Sequence, residues 1–404
     1  MPAPSSAAQK LYAAARNDIL QVRVLLKSGR TQASVGSGFL VGESDLVLTN
    51  YHVVSQFALD PDTYVGEWVD TAGQRGKVEL LAVDVLHDLA VVRVNRAGTG
   101  FFKMPERLAT LSQGQYLYSM GNPLDLGFAI SEGAYNGVVT RSFYEQLMFT
   151  GPINSGMSGG PSVTAAGELA GVNVAKRLDG ELVSFLVPAR YAQQLLARAA
   201  AQAAPPKDFK LLVAEQLLAH QGMMVERLLA TPLTLKAMGP YRVPVRESDQ
   251  MRCWGRANVK DDSPFMVDRT NCAMESSIFI SGALQTGRVS IRHEYLRSDS
   301  LDPARFAALA SSSFKTENFG SHKNANLTAP HCAEQFVKHR ALPLRAVLCV
   351  RAYRKFAGLY DFALLTASTD SAAMSLQSRL DAQGVSYQNG MRSARVFLEA
   401  LTRN

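Results

Sequence analysis

Ser158 stands in Asn154-Ser155-Gly156-Met157-Ser158-Gly159-Gly160-Pro161, where glycines lie on both sides of its hydroxyl. Glycine permits a tight turn and a close approach by a second backbone, so this turn would project Ser158 toward a bound chain. A serine that attacks an amide carbonyl needs a base within hydrogen-bond reach, a carboxylate to orient that base, and donors for the oxyanion. The candidate oxyanion hole is the Gly156, Met157, Ser158 stretch, in which the Gly156 and Ser158 amides can converge on one oxygen. The candidate base is His52, in Leu46-Val47-Leu48-Thr49-Asn50-Tyr51-His52-Val53-Val54. The candidate carboxylate is Asp88, in His87-Asp88-Leu89-Ala90-Val91-Val92. An acid that opens a buried strand is costly unless it has a partner. Each has a plainer reading alone: a surface turn, a core histidine, a turn cap. Together they point to nucleophilic acyl transfer.

The elements that must position these residues are short strands. After a short helix within 9–20, strand-like runs follow closely, among them 33–41, 46–54, 76–83, 89–94, 116–120 and 169–174. Many short strands with almost no helical periodicity predict an all-β barrel or sandwich. Gly156-Met157-Ser158-Gly159-Gly160 also fits the G-x-S-x-G elbow of α/β-hydrolases, which makes an esterase a rival. That fold places acid and base after the serine and alternates strands with helices. Here His52 and Asp88 precede Ser158, and no crossover helices are evident before it.

At this point the sequence resembles the trypsin-fold peptidases of the HtrA (Deg) type. The resemblance rests on G-S-G-F-L from Gly36, T-N-x-H-V-V from Thr49, H-D-L-A-V-V from His87, Gly121-Asn122-Pro123, I-N-x-G-x-S-G-G-P from Ile153 and G-E-L-A-G-V-N-V from Gly167. It is spread over roughly residues 17–200. It implies two six-stranded β-barrels with the site in the cleft between them, and the roles of base, orienting acid and nucleophile for His52, Asp88 and Ser158. It also implies an S1 pocket formed by Pro152 and Ile153, six and five residues before the nucleophile, and by Val172, Asn173 and Val174. None of these carries charge, so cleavage after small to medium apolar residues is expected. The substrates would be proteins or peptides. The alternative is a protease fold kept as a silent binding module. Two features depart from relatives: no PDZ carboxylate-binding loop is found after Pro206, and Met157 stands where trypsin-like zymogens have an activating Asp.

Residues 189–204 read as a helix ended by Pro205-Pro206. The expected organisation is a double-barrel all-β protease domain over 1–204, a linker over 205–208, and an α+β domain over 209–404. In that second domain, 209–229 is apolar at helical spacing, 277–296 reads as a hairpin around Gln285-Thr286-Gly287, and 371–382 and 391–401 read as helices. Its helix over 209–229 is expected to dock on the protease domain, so that the second domain controls access to the cleft or recruits a regulatory protein partner. An independent module is the alternative.

Composition bounds the rest. The chain has 404 residues, 47% hydrophobic and 19% charged, enough to bury sizeable cores. Residues 1–206 carry 16 basic and 17 acidic groups, against 26 and 18 over 207–404, so the basic excess behind the chain's net charge of +7 lies entirely in the second half. No long Lys/Arg run accompanies it, and a solvated basic surface is expected rather than nucleic-acid binding. No apolar stretch reaches membrane-spanning length. The chemistry needs no metal or organic cofactor, and His331 beside Cys332 reads as incidental. Cys253, Cys272, Cys332 and Cys349 all lie in the second half; four cysteines fit two disulfides or four free thiols. The first residues lack signal-peptide character and resemble the small-residue start of a mature exported protein. An extracytoplasmic home, periplasmic in a bacterium, is expected over a cytoplasmic one. Export predicts Cys253–Cys272 and Cys332–Cys349, the second linking a helix to a strand.

Overall fold

The computed structural model describes residues 5–104, 110–139, 141–176, 183–202, 204–258, 263–314 and 324–403. The chain forms two compact units. Unit 1 is Met1–Gln216 together with Phe279–Gly282, and unit 2 is Leu217–Ile278 with Ala283–Asn404.

Unit 1 opens with helix α1 (Ser6–Ala15), capped by the Ser5 hydroxyl, which accepts from the Ala8 amide. Strands β1 (Ile19–Leu26), β2 (Gln32–Leu40), β3 (Leu46–Thr49), β4 (Tyr64–Val69), β5 (Arg75–Asp84) and β6 (Leu89–Val94) follow, with helix α2 (Tyr51–Leu59) between β3 and β4. They close into a barrel in the order β1-β2-β3-β6-β5-β4. Strands β7 (Tyr116–Gly121), β8 (Ala129–Val139), β9 (Gln146–Phe149), β10 (Pro161–Val163), β11 (Leu169–Lys176) and β12 (Ser184–Pro188) close into a second barrel in the order β10-β11-β12-β9-β8-β7. Closure removes the exposed strand edges, and inward side chains fill both barrels. A core shared by both contains Phe39 and Leu48 from the first barrel and Met120 and Val163 from the second, with Leu11 of α1 and Leu195 of α3 (Ala189–Ala201) packed into it. This is the expected trypsin-like double barrel. Helix α4 (Phe209–Leu229) follows. Its Gln216 side chain donates to Val83 O at 3.0 Å and accepts from the Val85 amide at 2.8 Å, both within unit 1.

Residues 46–54, expected as one strand, change at Asn50. Pairing of β3 with β2 and β6 ends at Thr49, and Tyr51 begins α2. A short apolar run does not distinguish strand from helix by itself. Here Val53, Val54 and Ala58 bury one helical face.

Unit 2 contains β13 (Thr234–Met238), β14 (Tyr241–Val245), β15 (Met251–Ala257), β16 (Met266–Met274), β17 (Ile278–Ser281), β18 (Leu284–Thr286), β19 (Arg288–Arg297), α5 (Pro303–Ser313), β20 (His331–His339), β21 (Leu342–Ala352), β22 (Tyr360–Ser368), β23 (Met374–Val385), α6 (Tyr387–Glu399) and β24 (Thr402–Arg403), apart from the β17 residues assigned to unit 1. Its frame is a seven-stranded sheet ordered β15-β16-β19-β23-β22-β21-β20. Residues 371–382, expected as a helix, form most of β23. Their Ala, Gln, Leu and Arg content suits a helix, but β23 is hydrogen-bonded on both sides, to β19 and β22, and tertiary pairing overrides propensity. The expected hairpin turn at 285–287 lies earlier, at Gly282-Ala283 between β17 and β18, whereas Gly287, at φ +70°, separates β18 from β19. The cysteines pair as Cys253–Cys272 and Cys332–Cys349. Both bridges join residues directly opposite on adjacent strands, β15 to β16 and β20 to β21, so the second links two strands and not a helix to a strand. Each therefore ties an edge strand of the sheet to its neighbour. Among the described residues no helix is long and apolar enough to cross a membrane.

Candidate active site

His52 is the second residue of α2. The helix starts at an Asn50 whose side chain makes no cap of its own; its Nδ2 instead donates to Asp88 O at 2.7 Å. The Asp88 carboxylate does the capping. Oδ1 accepts from the His52 backbone amide at 2.8 Å, and Oδ2 accepts from His52 Nδ1 at 2.6 Å. The first amides of a helix are unsatisfied donors and favour an anion there. Asp88 has φ +55°, a conformation Asp tolerates better than most residues, and its carbonyl is further held by the Tyr51 amide at 3.2 Å. The preceding turn is itself braced. Asp84 accepts from His87 Nδ1 at 3.0 Å and from Arg198 at 2.7 Å, while the His87 ring stacks on Tyr191 at 3.7 Å.

A carboxylate cannot donate, so His52 Nδ1 carries the hydrogen in this bond and the neutral ring keeps its lone pair on Nε2. Burial pushes the His52 pKa down, but the charge and hydrogen bond of Asp88 outweigh it and the net direction is up.

The Ser158 turn is fixed largely through its backbone. Met157 N donates to Asn154 O, and Gly160 N to Met157 O. Ser155 O accepts from Leu124 N at 2.7 Å. In a planar trans peptide the next N–H points away from that carbonyl, so Gly156 N–H faces the other side. Gly156 O accepts from Ser37 Oγ at 2.7 Å, and Ser158 O accepts from Ser37 N at 2.7 Å. Among the described residues, neither the Gly156 nor the Ser158 amide donates to a protein acceptor. Gly156 has φ +92°, and a Cβ there would run into Asn122 O. Gly36 lets two parts of the site meet: a Cβ on it would collide with Val53, beside His52, and lie 2.9 Å from Ser158 O. The Ser158 hydroxyl donates to Val174 O at 3.2 Å, and among the described residues no hydrogen bond joins it to His52.

Of the expected pocket residues, Pro152 is exposed and Val174 partly so. Ile153 is buried in a second-barrel core with Met157 and Phe149, and Val172 in the shared core. Asn173 is fully buried and its side chain is spent internally. Oδ1 accepts from Ser119 and Ser162 at 2.7 and 2.8 Å, and Nδ2 donates to Met120 O and Met157 O at 3.0 and 3.2 Å. Its backbone carbonyl accepts from Gly159 N at 2.8 Å. Ser37 thus holds the serine turn at Gly156 and Ser158, and Asn173 holds it at Met157 and Gly159. Sequence reasoning passed over these positioning roles, although both residues lie inside motifs it had singled out.

Residues 36–172 match the family of the trypsin-like peptidase domain. Serine protease HTRA2, mitochondrial, of Drosophila grimshawi is 32% identical over 179 residues, covering 42% of this chain and 40% of that protein. Serine protease HTRA4 of Homo sapiens is 29% identical over 177 residues, covering 40% and 34% respectively. The chain thus spans about 40% or less of the length of these relatives. Its N-terminal half carries a trypsin-like peptidase domain similar to those of HtrA-type serine proteases.

Proposed function

We propose that the chain is a serine endopeptidase, with Ser158 as nucleophile, His52 as general base and acid, Asp88 as the residue that orients His52, and the Gly156 and Ser158 amides as the oxyanion hole. The observation that carries this reading is the His52–Asp88 pair, bonded so that Nε2 is the basic nitrogen. It sits in the same double barrel as a serine turn with two unengaged amides. In the free protein the Ser158 hydroxyl rests on Val174 O; its hydrogen bond to Nε2 would form when substrate binds, as catalytic hydrogen bonds tighten on binding. Oγ then bonds to the scissile carbonyl carbon while its proton moves to Nε2. Collapse of the tetrahedral intermediate breaks the C–N bond, and Nε2 returns the proton to the leaving amine. A water repeats the sequence and releases the acyl group.

Cleavage after Val, Ile, Leu, Ala or Met belongs to the same proposal. A charged side chain entering an apolar pocket would lose hydration without a partner. Two disulfides support an extracytoplasmic, oxidising home. Unit 2 is proposed to serve control of cleavage or partner recruitment.

The test is casein cleavage by the full chain and its Ser158→Ala and His52→Ala variants, with the fragments mapped by mass spectrometry. Both variants should stay folded and lose activity to a similar degree, because the triad acts as a unit. Undiminished cleavage by Ser158→Ala would refute the assignment, and dominant cuts after Arg or Lys would refute the specificity.

A further inference from the structure

Unit 1 includes four residues from far along the chain, Phe279–Gly282. They lie outside the region matched to the trypsin-like peptidase domain, which ends at residue 172. Phe279 belongs to β17, which pairs with β18 as a two-stranded hairpin. Successive side chains in a strand point to opposite faces. Ile278 and Ile280 are buried, and Phe279 between them is partly exposed.

The face Phe279 presents is next to the proposed base. Its ring meets the His52 ring edge-on, with centroids 5.9 Å apart and planes at 72°. It also meets the Tyr51 ring at 6.5 Å and 71°. Tyr51, immediately before His52, is fully buried, and its hydroxyl donates to Ile280 O at 3.0 Å. Burial, reinforced by the Asp88 charge, pushes the Tyr51 pKa up, so the phenol keeps its proton and remains a donor. This bond holds Ile280 against the first turn of α2, with the Phe279 ring next to it in the chain.

We propose that Phe279 is a specificity-determining residue: it forms a wall of the substrate cleft beside His52 and limits the size of the peptide side chain that can lie against the imidazole. The proposal rests on the peptidase reading above. A base that must receive the Ser158 proton has to keep its Nε2 edge open, so an aromatic ring packed on the same imidazole narrows the space left to substrate. The wall is partly exposed and carries no charge, so it acts by shape. Discrimination by apolar shape is modest, about 10–200-fold for a methylene-sized difference.

The experiment uses the full-length chain and peptides in which the residues flanking the scissile bond are varied one at a time. Wild type should favour small side chains at one flanking position. Phe279→Ala should raise kcat/KM for Phe, Tyr and Trp at that position by about 10-fold relative to Ala, mainly through KM. Phe279→Tyr should retain the wild-type preference. If Phe279→Ala does not fold, Phe279→Leu supplies the reading, with a partial shift expected. An identical preference in wild type and the truncated variant overturns the proposal and leaves Phe279 as packing. Labelling of wild type with a fluorophosphonate separates the two possible failures. An unlabelled wild type removes the peptidase reading and this proposal with it, whereas a labelled wild type with an unchanged preference removes the proposal alone.

Discussion

Asp88 does three things with one side chain and one carbonyl: it caps α2, holds the His52 ring and ties Asn50. Its influence on His52 fixes a pH dependence. The net shift is upward, so the imidazolium is favoured and the ring becomes neutral only above its ordinary value near ~6.5. The proposed base must be neutral, so kcat/KM should fall with one proton as pH drops through a midpoint above ~6.5. The same shift favours the folded state below that pH and gives the contribution up as pH rises past the folded midpoint. In Asp88→Asn the charge is gone and burial alone remains, so an NMR titration of His52 should give a midpoint lower than in wild type, with turnover down by about 10⁴. An unmoved midpoint would contradict this electrostatic account. Ser37 permits a second test at the same scale. Ser37→Ala strips Gly156 O of a donor and Asn122 N of an acceptor, both buried, at a cost of about 1–3 kcal/mol for each group left unsatisfied. Chemical denaturation should show that loss, and kcat should fall more than KM changes. The proposed triad was legible in sequence because its residue types are rare in combination and each sits in a short motif. The positioning work of Ser37 and Asn173 was not, because a buried hydrogen-bond partner is defined by chain segments more than 100 residues apart for Ser37 and by several strands for Asn173.

Elements were legible where local chemistry decides them. The start of α5 shows such local chemistry: the Asp302 side chain accepts from the Ala304 and Arg305 amides, and Pro303 opens the first turn. They were illegible where tertiary pairing decides, as in β23, or where an apolar run is too short to show a period, as in α2. In unit 2, His293 of β19 illustrates a demand that only packing sets. It is fully buried, its Nε2–H donates to Pro244 O at 2.7 Å, its Nδ1 accepts from Ser378 Oγ at 2.8 Å, and the ring stacks on Phe397 at 5.7 Å. Burial pushes its pKa down to about 4, although the bond to Pro244 O pulls the other way. A lowered folded value means that this contribution to stability is complete above the unfolded value near ~6.5 and is lost as pH falls through about 4. Unit 2 should therefore weaken toward acid across that window. Trp254 lies in unit 2 and Trp68 in unit 1, so Trp254 fluorescence in a Trp68→Phe background follows it. His293→Gln should flatten the acid slope by about one proton.

At the scale of the molecule, the two barrels were legible because many short strands and the spread of motifs agreed. The membership of Phe279–Gly282 in unit 1 was not, since nothing local in those four residues signals it. The charge excess and all four cysteines separate the halves of the chain in sequence, and the disulfides give that separation a testable consequence. Both bridges tie an edge strand to its neighbour in the unit 2 sheet. Loops of similar length are stabilised by roughly 3 kcal/mol per bridge in the chain-entropy account. Reduction should thus lower the stability of unit 2 by a few kcal/mol and speed hydrogen exchange in β15 and β20, while unit 1 keeps its exchange protection. Non-reducing peptide mapping that finds four free thiols after oxidative expression would contradict both the pairing and the extracytoplasmic proposal. The central claim is that Ser158 is an activated nucleophile. Its most direct measurement is reaction of the full-length protein with a fluorophosphonate, followed by mass-spectrometric localisation of the adduct. The account predicts one phosphonyl group per chain, on Ser158, abolished by Ser158→Ala and strongly slowed by His52→Ala. A folded wild-type protein that takes up no label, or takes it up equally after Ser158→Ala, would contradict it.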